Sequence, residues 1–418
     1  MHKLYKDLQY YKFCAYGFLK NLAFHDPFFM LFFIERGLTF FQIGTLYATR
    51  EIVINIVEIP SGIIADLFGR KRVMMLAFAF YSSSLLLLVF SNSYFGFIIA
   101  FTIYGFGDAS RTGTHKAMIL SYLMVNGWTE TKTNYYGHTR SWSQIGSGIG
   151  ALLSGIIFYF SGDLKLVFVL AIIPYLLDFI LLTSYPNYLN GQTQPFSFRK
   201  LHLIFSSYFK DLWKGVGSIQ MIKILSNTSI YTGFYKGTKD YLQPMLLSLV
   251  LVLPILTNNT ESERLSIIVA LTYFVLFLLT SKASAMSGAL SFKIRPLSRL
   301  LNILLVIGVG VGVLSGIAYY LNYKIVAIVL FCGIIVVQNL RRPVAMSFLT
   351  DNFNDKIMAG SLSAESLMET FFTAIFVTFL GYVADKFNPG VAISVLGILI
   401  LFIFYFIRIK NKPIDNLI

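Results

Sequence analysis

Gly62-Ile63-Ile64-Ala65-Asp66-Leu67-Phe68-Gly69-Arg70-Lys71-Arg72 closes one long apolar run and opens the next. Each polar position has a physical use. A glycine inside an apolar helix lets a neighbouring helix come close. A second glycine allows a turn that a side chain would strain. An acid at a helix end can pair with the cations that follow, or face the positive N-terminus of an adjacent helix. Three successive cations at the edge of an apolar run mark a loop kept on the cytoplasmic side of a membrane. The stretch therefore reads as a short loop between two membrane helices, and the rest of the chain has to supply more of them.

It does. The 418 residues are 56% hydrophobic and 13% charged, with a mean hydropathy of +0.69. Ordinary globular chains carry about 25% charged residues. A membrane-crossing helix needs about 20 apolar residues, and about twelve such runs follow one another here. They lie near 12–34, 41–65, 72–92, 94–123, 140–160, 165–185, 226–254, 265–288, 299–320, 324–349, 362–383 and 390–409. The alternating pattern of a membrane barrel is absent. The first run carries Lys12, Lys20 and Asp26 and lacks a small-residue cleavage site, so it reads as a mature helix. Cys14 and Cys332 sit in apolar runs as small buried groups, with no disulfide framework or metal spacing. No cofactor is expected. No nucleophile–base pair or phosphate loop points to an enzyme.

The net charge of +14 raises the possibility of a nucleic-acid partner, which its distribution answers. With the N-terminus inside, loops and tails hold roughly 18 Lys and Arg on the cytoplasmic side against roughly 5 outside. Arg70, Lys71, Arg72, Arg199, Lys200, Lys293 and Arg295 are in the first set; Arg36, Lys165, Arg264, Lys324 and Lys386 are the second. The charge orients the chain in a bilayer and predicts cytoplasmic termini, with no nucleic-acid partner.

The strongest internal break runs from Tyr185 to Lys223 and is basic, aromatic and Pro/Gly-bearing. It divides the chain into 1–186, a connector at 187–223 that is partly an amphipathic surface helix, and 224–418. The halves resemble distant repeats. Arg111 in the fourth span has a counterpart in Arg341 of the tenth. Arg140 and Gln144 in the fifth match the spacing of Glu365 and Glu369 in the eleventh. Asp26-Pro27 in the first matches Asp240 with Pro244 in the seventh.

The opening stretch resembles the signature loop of the major facilitator superfamily, G-x-x-x-D-x-x-G-R-[RK], which joins membrane helices 2 and 3. The resemblance implies an all-α membrane fold of twelve helices in two six-helix bundles with a central site between them. It implies a secondary transporter working by alternating access, in which Gly62, Asp66, Gly69, Arg70 and Lys71 latch the cytoplasmic gate. The superfamily often repeats the motif between helices 8 and 9. Here that loop, Ser287 to Arg295, has no aspartate, so the second latch is degenerate or missing. Gly381-Tyr382-Val383-Ala384-Asp385-Lys386-Phe387 closes span eleven, as a related piece does in many members. Gly146, Gly148, Gly150 and Gly155 in span five match the antiporter signature only in part, since its Gly-Pro bend is absent; close packing explains the run equally well.

Ionisable residues inside a span each cost about 2.5–3.5 kcal/mol and so mark candidate sites. Asp108, Arg111 and His115 share one face of the fourth span, beside Lys116, which can snorkel to the surface. They line a cavity or, alternatively, form an internal Asp108–Arg111 pair. Arg140 and Gln144 can face the same space. Of Arg341 and Arg342 only one can point inward. Arginines at mid-membrane suit a carboxylate or phosphate, because the guanidinium fork matches two oxygens. The competing reading pairs each arginine with Asp108, Glu365 or Glu369 and leaves no positive field. The seventh span is the most polar, with Tyr231, Tyr235, Lys236, Lys239 and Asp240, and its counterpart, the first, is also interrupted; such paired interruptions point to a substrate path.

The expected substrate ligands are Arg111, His115, Arg140, Gln144, Tyr231, Tyr235, Lys236, Arg341 and Arg342. A buried acid can load and release a proton as access alternates. The expected carriers are Asp26, Glu51, Glu58, Asp108, Asp240, Glu365 and Glu369, with Asp178 also in a span. His25-Asp26 offers only two metal ligands with no matching set elsewhere, so no metal site is expected. The expectation is a proton-coupled transporter of a small organic or amphipathic anion, monomeric, in the inner or plasma membrane. A multidrug antiporter, a metal or metal-chelate transporter, and a non-transporting receptor or scaffold are the alternatives.

Overall fold

The computed structural model describes residues 6–191, 219–252, 257–352 and 355–409. Most of the expected connector, including Arg199 and Lys200, lies outside the described residues, as does the side chain of Asp66. Regular structure among the described residues is entirely helical. The first part holds α1 (Leu8–Asn21), α2 (Phe29–Glu35), α3 (Phe40–Phe68), α4 (Arg70–Phe90), α5 (Tyr94–Arg111), α6 (Thr114–Val125), α7 (Lys132–Ser161), α8 (Leu164–Leu170) and α9 (Ile172–Thr183). The second holds α10 (Ile219–Thr238), α11 (Leu242–Val252), α12 (Glu261–Lys293), α13 (Leu297–Tyr320), α14 (Lys324–Asn352), α15 (Asp355–Lys386) and α16 (Pro389–Ile407).

Eight helical stretches among these residues are long and apolar enough to cross a membrane. The first, second, fourth and seventh expected spans are not among them, for identifiable reasons. The first is cut by a 3-10 turn at Asp26–Phe28, with Pro27 removing a backbone donor. The fourth is cut after Arg111, where Gly113 takes φ +78°. The seventh is cut at Lys239–Tyr241. The second remains one helix but carries Arg50, Glu51, Glu58 and Asp66. Each of these four carries ionisable candidates.

The chain forms two compact units. One comprises Met1–Phe32, Ile52–Leu201 and Pro254–Phe277; the other comprises Phe33–Glu51, His202–Leu253 and Leu278–Ile418. In the first, the glycines of α7 set the spacing. Gly146 faces the carbonyl of Phe18 on α1, and Gly150 faces Asn21 and Leu22 one turn on. Gly155 abuts Ala270 of α12. This half of the glycine expectation, small residues for close approach, describes what these positions do.

In the second unit, Gly44 of α3 abuts the backbone of Val377 on α15, and Gly381 abuts Phe40 and Phe41. Beside that crossing, the Asp385 carboxylate accepts from the backbone N–H groups of Phe40 (2.7 Å) and Phe41 (2.9 Å). Thr39 and Gln42 exchange side-chain and backbone hydrogen bonds at 3.0 and 3.2 Å. The start of α3 thus has its unpaired donors satisfied by its own cap and by the end of α15. Asp385→Ala is expected to lower stability by about 1 kcal/mol, the usual worth of a helix cap. A melting temperature in detergent equal to that of the wild type would contradict this.

Candidate functional site

The signature loop is held by contacts that its motif does not contain. Gly69 takes φ +97°, and a Cβ there would meet the Asn190 side chain. Asn190 Oδ1 accepts from the Lys71 backbone N–H at 3.1 Å. The Lys71 ammonium donates to the carbonyls of Thr183 (2.6 Å) and Tyr185 (3.0 Å) at the end of α9. Arg70 Nη1 donates to Ser121 of α6 at 2.8 Å. One residue before Gly62, Ser61 donates to the Ala109 carbonyl of α5 at 2.8 Å. The Asp66 side chain, expected to pair with Arg70, lies outside the described residues.

Within the first unit, α1, α5, α6 and α7 enclose a cavity of about 350 Å³. Arg111, His115, Arg140 and Gln144 all line it. Lys20 and Lys116 join them. No Asp or Glu is among the described residues of its wall. Arg111 is oriented from behind. Its Nε donates to the Tyr81 hydroxyl at 3.2 Å, and that hydroxyl donates to Asp108 at 2.7 Å. Asp108 and Arg111 therefore meet through Tyr81, and the guanidinium keeps other donors for the cavity. His115 stacks on Tyr16, with ring centres 3.7 Å apart, and lies 3.4 Å from the Tyr185 hydroxyl. Lys116 sits 5.6 Å from the Tyr136 ring centre. Arg140 is exposed, and Gln144 is half-buried one turn along the same helix.

The second unit treats its charges differently. The Lys236 ammonium binds Glu51 at 3.0 Å and Glu369 at 2.8 Å. Arg342, with 54% of its side chain exposed, lies 3.6 Å from the other oxygen of Glu369. Two cations here face two acids. Arg341 is 1% exposed and donates to the Asn227 carbonyl (2.7 Å), Asn227 Oδ1 (2.9 Å) and the Thr228 carbonyl (3.0 Å). It lies 5.3 Å from the ring of Tyr231, which is itself fully buried and donates to the Ile334 carbonyl. Arg341 and Tyr231 thus pack α14 on α10, and Arg342 is the exposed one of the adjacent pair. Tyr235 is half-buried, and Lys239 pairs with Asp240 at 2.8 Å. Glu365 is half-buried, and its carbonyl accepts from Ser229. Glu58 is half-buried on α3. Asp26 has a side chain 66% exposed, 3.4 Å from the buried His25. Among the described residues no group of three or more His, Cys, Asp or Glu could hold a metal.

Lys20, Tyr81 and Asn190 were not singled out from the sequence as site residues. For Lys20 a signal existed: Phe13, Tyr16, Gly17 and Lys20 repeat at helical spacing on one face. Tyr81 and Asn190 have no local signal, because their partners are remote in sequence.

Broken helices around a charged cavity, among helices long and apolar enough to span a bilayer, define a multi-pass membrane protein of the transporter class. The chain belongs to the Major Facilitator Superfamily, whose family profile matches residues 19–368. A curated relative, an uncharacterized MFS-type transporter of Methanocaldococcus jannaschii, is 25% identical over 245 residues, 56% of this chain. That match spans 60% of the relative's length. Among solved structures, the nucleoside transporter NupG superposes with a TM-score of 0.76 at 12% identity, covering 97% of this chain and 100% of that one. A D-xylose–proton symporter gives 0.64 at 17%, covering 97% and 98%. A POT family transporter crystallised with a thioalcohol-conjugated peptide gives 0.68 at 14%, covering 95% and 94%. At these identities the likeness is one of fold.

Proposed function

We propose that this superfamily member is a proton-coupled secondary transporter of a small organic anion, and that it works by alternating access. The observation that carries this reading is the cavity lined by Lys20, Arg111, Lys116 and Arg140 with no acid among its described wall residues. In the second unit Lys236 and Arg342 face Glu51 and Glu369, so this pair of cations supplies no comparable field. Tyr16, His115 and Tyr136 add aromatic surface, which suits an anion with an apolar or planar part. In this reading twelve helices form two bundles, 1–186 and 224–418, joined by 187–223, with both ends cytoplasmic and the protein working as a monomer in the inner or plasma membrane. The signature loop closes the cytoplasmic side, and protons move on buried acids.

The test is ligand binding to the purified protein, followed by melting temperature across a panel of carboxylates, phosphates, cations and neutral solutes. Anions are expected to stabilise the fold. Arg140→Ala is expected to weaken them about tenfold to hundredfold, the worth of one hydrogen bond to a charged group. Binding of neutral or cationic solutes alone, or anion binding indifferent to Arg140→Ala, would overturn the reading.

A further inference from the structure

The cavity is long and narrow, and its cations sort to its two ends. On α1 its wall runs from Phe13 to Asn21, and on α7 from Tyr136 to Gln144. By the rise of an α-helix each stretch is about 12 Å long. The two helices lie side by side and run the same way, since Gly17 meets Thr139 and Ser143, Gly146 meets Phe18, and Gly150 meets Asn21. One end of the cavity therefore holds Phe13 and Tyr136, and the other holds Lys20 and Gln144. A volume of about 350 Å³ drawn out over that length leaves a slender cross-section.

The neighbouring helices place the remaining cations. α6 runs against α1: His115 stacks on Tyr16, while Tyr122, two turns further along, donates to Asp7 at the start of α1. Arg111, which precedes His115, thus lies toward Lys20. α4 agrees. It runs with α1, because Lys12 and Lys71 both donate to carbonyls at the end of α9 and Phe78 packs on Tyr16. Tyr81, one turn past Phe78, accepts from Arg111 Nε and so holds that guanidinium at the Lys20 end. Lys116 lies over the ring of Tyr136, at the opposite end. Arg140 is one turn past Tyr136 on α7, and a helical side chain leans toward the N-terminus of its own helix, here toward Lys116. Between the two groups of cations lie the stacked rings of Tyr16 and His115 and the bare backbone of Gly17.

Resting on the anion reading above, we infer that the substrate is a dianion whose two charges sit at opposite ends of a slender apolar or planar spacer. Arg111 and Lys20 seat one charge, Lys116 and Arg140 seat the other, and the spacer lies along the Tyr16–His115 stack. A singly charged anion meets one group of cations only. A compact dianion, such as a phosphate ester, carries both charges at one head and also meets one group only.

The experiment measures binding of two matched pairs of carboxylates to the purified full-length protein at about pH 8, where all are ionised. Butyrate and succinate form the short pair, octanoate and suberate the long one. The members of a pair share a carbon count and differ by one carboxylate, so their ratio isolates the second charge. Suberate is expected to bind at least about tenfold tighter than octanoate, the worth of one hydrogen bond to a charged group. Succinate, too short to reach both ends, is expected to gain less over butyrate. Phenyl phosphate, a dianion at this pH, is expected to bind more weakly than suberate. Lys20→Gln and Lys116→Gln are each expected to weaken suberate about tenfold, and at most one of them to weaken octanoate. A merely structural role for these lysines would weaken both ligands alike in both variants, and that result overturns the inference. So does suberate no tighter than octanoate, an equal gain in the short pair, or phenyl phosphate outbinding suberate; the anion reading then survives through whichever anion binds. If no anion binds, that reading falls and this one with it. Should a variant fail to fold, the wild-type series decides by itself.

Discussion

Gly44→Leu is expected to yield little folded protein. A Cβ at this position falls inside the van der Waals envelope of the Val377 carbonyl, which is backbone and cannot rotate away. The same crossing is built from the other side, where a Cβ on Gly381 would meet the backbone of Phe40 and Phe41. With glycine on both helices, α3 and α15 touch main chain to main chain, the arrangement that gives membrane helices their closest packing. Leucine would push them apart along the whole contact. Overpacking a well-fitted site costs about 1–3 kcal/mol when side chains can adjust, and more when backbone must move. It would also pull Asp385 from the N–H groups of Phe40 and Phe41, losing about 1 kcal/mol more. The measurement is monodisperse yield and melting temperature in detergent. Gly310→Ala is the control, since nothing lies within 4 Å of a Cβ there. A Gly44→Leu protein that melts with the wild type would show that the crossing is looser than described.

Lys236→Met is expected to be the most damaging single change of charge. The lysine holds two carboxylates at 3.0 and 2.8 Å, and their side chains are only 10% and 11% exposed. Removing one partner of a buried pair costs about 3–5 kcal/mol, because the remaining charge keeps its desolvation penalty without its attraction. The lower end applies here. Lys236 is itself 31% exposed, and Arg342 stays within 3.6 Å of Glu369. Adding Glu369→Gln to Lys236→Met removes one of the stranded charges and is expected to recover part of the loss. The non-additivity of that pair, measured by denaturation, reports the interaction itself. Strict additivity would mean that the lysine and the glutamate do not act on each other.

How far the sequence could be read depended on whether its signals were local. The loop at Gly62–Arg72 was legible because glycine, acid and cation positions each answer to a nearby need. The breaks at Asp26-Pro27 and Lys239-Asp240 were legible for the same reason: proline and charge interrupt an apolar helix wherever it goes. Arg111, His115, Arg140 and Gln144 could be grouped from helical spacing and charge, and they do meet in one cavity. What spacing could not supply was the partner. Arg341 and Arg342 are adjacent and chemically identical, yet one donates to buried carbonyls of α10 and the other reaches a glutamate of α15. Whether Lys236 serves a ligand or two acids depends on residues 185 positions before it and 133 after. Such choices are made by tertiary packing, and no window along the chain contains them.

The fastening of Lys71 to the chain around Thr183, Tyr185 and Asn190 has a mechanical consequence. It joins the beginning of α4 to the stretch that follows α9, so the helices between them form a closed hoop. A hoop resists shear that an open row of helices would permit, because a load on one member is shared by all. A tug on the signature loop is therefore felt at the far end of α9 as directly as at α4. The short basic turn is thus a clasp, fastening the start of α4 to the end of α9.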